Sequence, residues 1–404
     1  MGKRQEPIRL LLTGGGTGGH LFPAIATAEA MCRRLPGTEI LFVGTRRKMD
    51  KSSLAHYGFS TRTIHCQGLK GKGLLALLQA LVLLPLSLVE AIWHILRFHP
   101  HLVVGVGGYV TGPVVAAAKI LGLPTVIHEQ NSVPGLANRK LGALATRICL
   151  SLPGSEDFFP AGKTVLTGNP VRRQILELAG KSQAKNGPVP RASEMGAERP
   201  QAKDDNVSLA PGTDEERPPR KIDEKVRILI LGGSLGAHRV NELMVDALTK
   251  YDKILPPGIE VIHQTGVADQ EMVRLAYEQA GIKATVAAFF TDMAEIYGKS
   301  DLLVSRAGAT TLAELAVLGK PALLIPYPFA ADDHQYKNGR YYVDSGGAVM
   351  FVERELTGRK LAEALAVLVS NPGRLQEMAE AMQSMARPDA AERIVDVCLE
   401  LITN

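Results

Sequence analysis

Two stretches of this sequence read alike. Arg9-Leu-Leu-Leu-Thr-Gly-Gly-Gly-Thr-Gly-Gly-His20 and Arg227-Ile-Leu-Ile-Leu-Gly-Gly-Ser-Leu-Gly-Ala-His238 each run from an apolar, strand-like segment through a glycine turn into a helical pattern. Glycines there permit a tight turn and leave backbone N–H groups uncovered. The following helix adds partial positive charge at its N-terminus, so each turn suits an anionic phosphate. Around both, apolar runs alternate with helical patterns. Ile8–Thr13, Glu39–Val43, Leu102–Val106, Thr125–His128, Val226–Leu231, Glu260–His263, Leu302–Ser305 and Ala322–Pro326 read as buried parallel strands. Phe22–Arg34, Gly112–Leu121, His238–Lys250 and Leu356–Val369 read as helices between them. This rhythm predicts an α/β chain with doubly wound sheets. Its two openings predict two nucleotide-binding-like domains facing a cleft.

Composition narrows the partners. The 404 residues are enough for two or three domains, and the net charge of +5 suits anionic ligands or an anionic membrane surface. Aromatics are 5%, and no basic run interleaves with them, so nucleic acid is not expected. Cys32, Cys66, Cys149 and Cys398 lie far apart with no CxxC, which argues against a disulfide framework or a zinc site. Met1–Pro7 lead straight into the first strand with no signal-peptide pattern.

Two segments depart from the rhythm. Residues 179–224 have no aromatics, few large apolar side chains and many Pro, Lys, Glu, Asp and Arg. Such a segment buries too little surface to offset its ordering entropy, so a disordered insertion is expected. Leu74–Leu96 is nearly all apolar and long enough to span a bilayer. Pro85, Glu90 and His94 inside it argue against spanning. A core helix and an interfacial helix both remain. Lys70, Lys72 and Arg97 at its flanks favour the interfacial reading, with Leu77, Leu81, Leu84 and Leu88 as the lipid-facing set.

The glycine turns do not fit the commonest nucleotide sites. A dinucleotide site wants an acid after the second strand to hold the ribose. Val43-Gly-Thr-Arg-Arg47 and His263-Gln-Thr-Gly266 supply none, and no Gly-Lys-Ser/Thr triplet has the upstream glycine of a Walker A loop. No Asp-x-Asp motif sits at a strand end, so no metal is expected, and the pair Asp332-Asp333 suits helix capping instead. Two further turns follow strands: Gly105-Val-Gly-Gly-Tyr-Val-Thr-Gly-Pro113 and Arg306-Ala-Gly-Ala-Thr-Thr-Leu-Ala-Glu314. Glu314, in the first turns of its helix, can accept hydrogen bonds from both ribose hydroxyls. Arg172, in Gly168-Asn-Pro-Val-Arg172, can clamp a phosphate. His128-Glu-Gln-Asn131 ends a strand, where ligands meet doubly wound sheets, so Asn131 and Glu129 are candidate contacts.

Taken in order, these motifs resemble the N-acetylglucosaminyl transferases of glycosyltransferase family 28. The carriers are Thr13–Pro23, Gly107–Pro113, His128–Asn131, Gly168–Arg172, Gly232–Ala237 and Arg306–Glu314, which span almost the whole chain. The resemblance implies a GT-B fold of two Rossmann-like domains. Residues 1–170 would form the acceptor- and membrane-binding domain, joined by a returning C-terminal helix at 388–404, and residues 171–387 the donor domain. It implies transfer of GlcNAc from UDP-GlcNAc to a lipid-linked acceptor, undecaprenyl-pyrophosphoryl-muramyl-pentapeptide, with no cofactor. The work would be done at the cytoplasmic face of the membrane.

By the same resemblance Thr17, Gly18, Gly19, Asn131, Arg172, Ser234, the backbone of Phe290, Ala309, Thr310, Thr311, Leu312, Ala313, Glu314 and Gln335 would contact the donor. Gly15, Gly16, Gly107, Gly108 and Tyr109 would hold the acceptor diphosphate. The insertion at 179–224 departs from the family pattern, and the Leu74–Leu96 segment is more apolar than usual in it. An inverting displacement needs a base, for which His20 is the candidate, because a helix N-terminus favours a neutral imidazole. A His20 that only hydrogen-bonds the acceptor diphosphate is one rival, and Glu129 as base is another. A UDP-GlcNAc 2-epimerase, another UDP-sugar transferase and a non-catalytic nucleotide-sugar binder stay open on the sequence alone.

Overall fold

The computed structural model describes residues 7–15, 18–45, 54–66, 74–186, 225–233 and 236–403, with side chains left undescribed at 74–82 and 182–186. The chain divides into two compact units, Met1–Arg172 with Arg387–Asn404, and Arg173–Ala386.

The first unit carries a seven-stranded parallel sheet. Its strands are β1 (Arg9–Thr13), β2 (Glu39–Gly44), β3 (Ser60–Thr63), β4 (Leu102–Gly105), β5 (Thr125–Glu129), β6 (Arg147–Leu150) and β7 (Thr164–Leu166), in the order β3-β2-β1-β4-β5-β6-β7. β1 and β4 are in register from Leu10 opposite Leu102 to Thr13 opposite Gly105. Alternation along β1 then divides its side chains between two cores. Leu10 and Leu12 pack under helix α1 (Gly18–Arg34) and the last helix of the chain, Ala390–Thr403. Leu11 packs on the other face with α2 (Leu74–Phe98) and α3 (Thr111–Ile120). The last helix is tied to α1 by the Arg33–Glu392 ion pair of 2.9 Å.

Helix α2 resolves the ambiguity of its sequence. Ala91 and Ile95 are buried in the core, whereas Leu84, Leu86, Val89, Trp93 and Leu96 are exposed. The spacing of Leu86, Val89, Trp93 and Leu96 places an apolar ridge along the outward face. Leu88, expected on the lipid side, instead packs against the core, and the side chains of Leu77 and Leu81 lie outside the described residues. Glu90, the acid that broke the apolar run, accepts from the backbone N–H of His65 at 2.7 Å and pairs with His65 Nδ1 at 2.6 Å. It pins the chain leaving β3 to the helix. Among the described residues no helix is long and apolar enough to cross a membrane.

The second unit repeats the plan with six parallel strands: β8 (Val226–Leu231), β9 (Ile259–Gln264), β10 (Ala284–Ala287), β11 (Leu302–Ser305), β12 (Ala322–Leu324) and β13 (Ala348–Met350), ordered β10-β9-β8-β11-β12-β13. Its entering helix, α5 (Arg173–Asn186), follows α4 (Leu136–Leu141) of the first unit. α5 corrects one expectation, since residues 179–186 are helical rather than the start of an insertion. Residues 187–224 lie outside the described residues.

Candidate active site

In each sheet the strand order reverses once, between β1 and β4 and between β8 and β11. The loops leaving the carboxyl ends of strands at such a switch point diverge and open a crevice. All four glycine turns singled out in the sequence sit at these two points.

In the first unit the β1 and β4 turns touch backbone to backbone. Gly108, at φ +85°, could carry no side chain, because a Cβ would lie 2.6 Å from the Gly15 carbonyl oxygen. Thr111 Oγ1 holds the turn by donating to Gly107 O at 2.8 Å. His20, in the first turn of α1, packs on this surface. A Cβ at Gly107 would meet His20 Cε1 at 3.0 Å. Behind it, His20 Nδ1 lies 2.9 Å from Gln130 Oε1. Gln130 Nε2 lies 2.9 Å from Val106 O and 3.1 Å from His128 Nδ1. His128 is fully buried, and burial pushes its pKa down to about 4. Tyr109 stands exposed at the rim of the same turn. Arg172 stacks on the ring of Phe22, 4.6 Å from its centroid, on the helix that follows the first glycine turn.

Glu129, the rival base, is buried, and four nitrogen donors occupy its two oxygens. Asn131 N (2.9 Å) and Asn131 Nδ2 (3.1 Å) bind Oε1; Gly135 N (3.1 Å) and Asn138 Nδ2 (2.9 Å) bind Oε2. Its work is to shape the loop after β5 and aim Asn131. Gly16 and Thr17 lie outside the described residues, as does Ser234 in the second unit.

In the second unit Gly236, at φ +80°, meets the β9 end so closely that a Cβ would lie 2.7 Å from Thr265 O. Helix α9 (Ala309–Leu318) starts at Gly308 with no side chain capping it, an arrangement that suits an anion. It carries Ala309, Thr310, Thr311, Leu312, Ala313 and Glu314 in sequence. Glu314 is buried and accepts from the hydroxyl of buried Tyr297 at 3.0 Å, on α8 (Met293–Gly298). Nothing in the sequence marks Tyr297 as its partner. Arg306 is structural: its Nη1 donates to Ile325 O and Pro326 O at 3.1 Å and pairs with Glu353 at 2.5 Å. Gln335 Oε1 accepts from Tyr327 N at 3.0 Å.

The backbone N–H of Phe290 donates to Gln264 Oε1 at 3.0 Å, so its carbonyl is the backbone group it can offer a nucleobase. One expectation needs correction here. Asp332 and Asp333 do not cap the following helix, α10 (His334–Asp344). Both take left-handed backbone, φ +54° and +52°, and Asp333 makes no side-chain capping bond. Non-glycine residues adopt that conformation at a conformational penalty, and such residues gather at binding sites. Among the described residues, no group of three or more His, Cys, Asp or Glu is placed to hold a metal ion.

Two parallel α/β units, each with a crevice at its switch point, are the plan of the GT-B fold. The chain belongs to glycosyltransferase family 28: the family's N-terminal domain matches residues 10–150 and its C-terminal domain residues 227–394. It is 50% identical over 400 residues, covering 99% of this chain and 98% of its relative, to the UDP-N-acetylglucosamine--N-acetylmuramyl-(pentapeptide) pyrophosphoryl-undecaprenol N-acetylglucosamine transferase of Desulfotalea psychrophila. The protein of the same description from Myxococcus xanthus is 40% identical over 98% of this chain and 93% of its own length. Among solved structures, Acinetobacter baumannii MurG superposes with a TM-score of 0.71 at 30% identity, covering 98% of this chain and all of that one. A UDP-GlcNAc 2-epimerase from Neisseria meningitidis shares the fold, with a TM-score of 0.64 at 13% identity over 97% of this chain and all of that one.

Proposed function

We propose that this chain transfers GlcNAc from UDP-GlcNAc to the 4-hydroxyl of undecaprenyl-pyrophosphoryl-MurNAc-pentapeptide, with inversion at the anomeric carbon. The observation that carries this reading is the 50% identity, over nearly the full length of both chains, to a transferase so described. The residues that would carry it divide between the two units. On the second unit, Glu314 holds the ribose, the start of α9 meets the diphosphate, and Gln335 contacts the sugar. The Phe290 carbonyl faces the base. On the first unit, the Gly15, Gly107 and Gly108 backbone and Tyr109 hold the acceptor diphosphate, and Arg172 and Asn131 complete the donor contacts.

The reaction is a single displacement. The acceptor 4-hydroxyl oxygen bonds to the anomeric carbon as the bond from that carbon to the β-phosphate oxygen breaks. His20 takes the hydroxyl proton, and the electron pair of the broken bond leaves on UDP. General-base assistance of this kind contributes roughly 10²–10⁴-fold. Backbone N–H groups and Arg172 stabilise the charge that develops on the leaving diphosphate.

The ridge of Leu86, Val89, Trp93 and Leu96 on α2 lies on an anionic membrane surface, at the cytoplasmic face where the acceptor's headgroup is presented. Arg97, 5.7 Å from the Trp93 ring centroid, sits beside that ridge as a headgroup-facing cation.

Purified protein, UDP-GlcNAc radiolabelled in the sugar and a short-chain lipid-linked acceptor test the reading. Label should move to the acceptor as one added N-acetylhexosamine. Conversion of UDP-GlcNAc to its 2-epimer without acceptor, or no transfer, would overturn it.

A further inference from the structure

We propose that Gln130 is a positioning residue for the transfer: its side-chain carbonyl holds His20 with the proton on Nδ1 and the Nε2 lone pair bare. This rests on His20 being the base, and adds which nitrogen takes the proton and what fixes it.

The argument starts from Val106. Its main-chain oxygen only accepts hydrogen bonds, and it lies 2.9 Å from Gln130 Nε2. The His128 main-chain oxygen, 3.3 Å from the same nitrogen, also only accepts. Turning the amide over would set a carbonyl oxygen against both. The orientation is therefore determined, and Gln130 Oε1 faces His20 Nδ1 at 2.9 Å. That oxygen has no hydrogen to give, so His20 Nδ1 must donate. A neutral imidazole has one N–H, which leaves Nε2 as the acceptor.

The bonds behind Gln130 agree. One of its two hydrogens is shared between the His128 carbonyl and His128 Nδ1 at 3.1 Å; an amide nitrogen does not accept, so that ring nitrogen does, and His128 carries its proton on Nε2. From there it faces Ser151 Oγ at 3.0 Å and the Gly168 carbonyl at 3.3 Å. Burial keeps His128 neutral. A second proton on its Nδ1 would oppose the Gln130 N–H and break the chain. Every donor from His20 to Gly168 thus points the same way. The Gly107 backbone closes on the other side of the His20 ring, where even one added carbon would be in tight contact.

The consequence is catalytic. Without the bond, the proton can sit on either His20 nitrogen, and the form protonated on Nε2 has no lone pair to accept the hydroxyl proton. Mis-set tautomers at other histidine-dependent sites lower kcat by up to roughly 10⁴-fold. A single neutral hydrogen bond has a smaller hold, and a loss of up to roughly 10-fold is expected here.

The test is the tautomer itself. Full-length wild-type protein labelled with ¹⁵N in its histidine rings is read by long-range ¹H–¹⁵N correlation at neutral pH, with His20 assigned by its loss in His20→Ala. The expected result is Nδ1 protonated and Nε2 bare; Nε2 protonated overturns the proposal without recourse to any Gln130 variant. In Gln130→Met, kcat should fall by the stated factor with the KM for UDP-GlcNAc unchanged, and the His20 signal should shift toward the other tautomer. A folded Gln130→Met with wild-type kcat overturns the proposal. The two readings fail separately: His20→Ala with full kcat would refute the base, whereas the wild-type spectrum refutes or supports the tautomer alone.

Discussion

Glu129 and Glu314 look alike in the sequence, each an acid near a strand-to-helix turn, and only their neighbours separate them. Four N–H donors saturate Glu129, whereas one oxygen of Glu314 is oriented by Tyr297. Glu129→Gln replaces one acceptor oxygen with a donor facing donors. It should destabilise the first unit by on the order of 2–4 kcal/mol, read as a lower melting temperature, and raise the donor KM through Asn131. A change in the pH–rate profile with stability intact would instead restore Glu129 as a base. Glu314→Ala should weaken donor binding by a similar 2–4 kcal/mol through loss of the ribose contact. Unchanged KM and kcat would remove Glu314 from the site. The glycines were legible because tight turns between a strand and a helix leave few alternatives. The roles of Gln130, Gln264 and Tyr297 were not, because each depends on a partner brought close only by the fold.

Among the elements, the eight strands read from the sequence all form, and five more do not announce themselves. Four of those five, β3, β7, β10 and β13, are sheet edges. An edge strand such as Ser60-Thr-Arg-Thr63 has one side open and needs no apolar run. Helix α2 was legible as a helix but not as a surface, because apolar residues on every side hide which face meets the core. The structure assigns the outward ridge. Replacing Leu86, Val89, Trp93 and Leu96 together with Ser should leave the fold intact, since all four are exposed. It should release the protein from anionic vesicles, as each side chain buried in lipid contributes about 1.5–3 kcal/mol. Co-sedimentation as strong as wild type would show that another surface binds. A deletion confined to residues 188–223, beyond the end of α5, should leave turnover within about twofold, because long surface insertions alter loop-closure entropy only weakly.

At the scale of the molecule, each unit keeps one histidine neutral by burial: His128 in the first, with a pKa of about 4, and His263 in the second, with a pKa of about 3. An unfolded histidine titrates near 6.5. Below that pH the unfolded chain takes up protons that the folded chain refuses, so stability is complete above about pH 6.5 and falls as pH drops toward 4. The loss approaches roughly 3 kcal/mol per histidine at the acid end. Denaturation midpoints should already decline between pH 7 and 5, above the carboxylate range; a flat profile there would contradict the burial of both rings. The proposed transfer rests on one group, His20, and His20→Ala tests the account most directly. At saturating acceptor its kcat should fall by roughly 10²–10⁴-fold, while calorimetry finds UDP-GlcNAc affinity nearly unchanged. Wild-type kcat with only a raised acceptor KM would show that His20 anchors the acceptor diphosphate and is not the base.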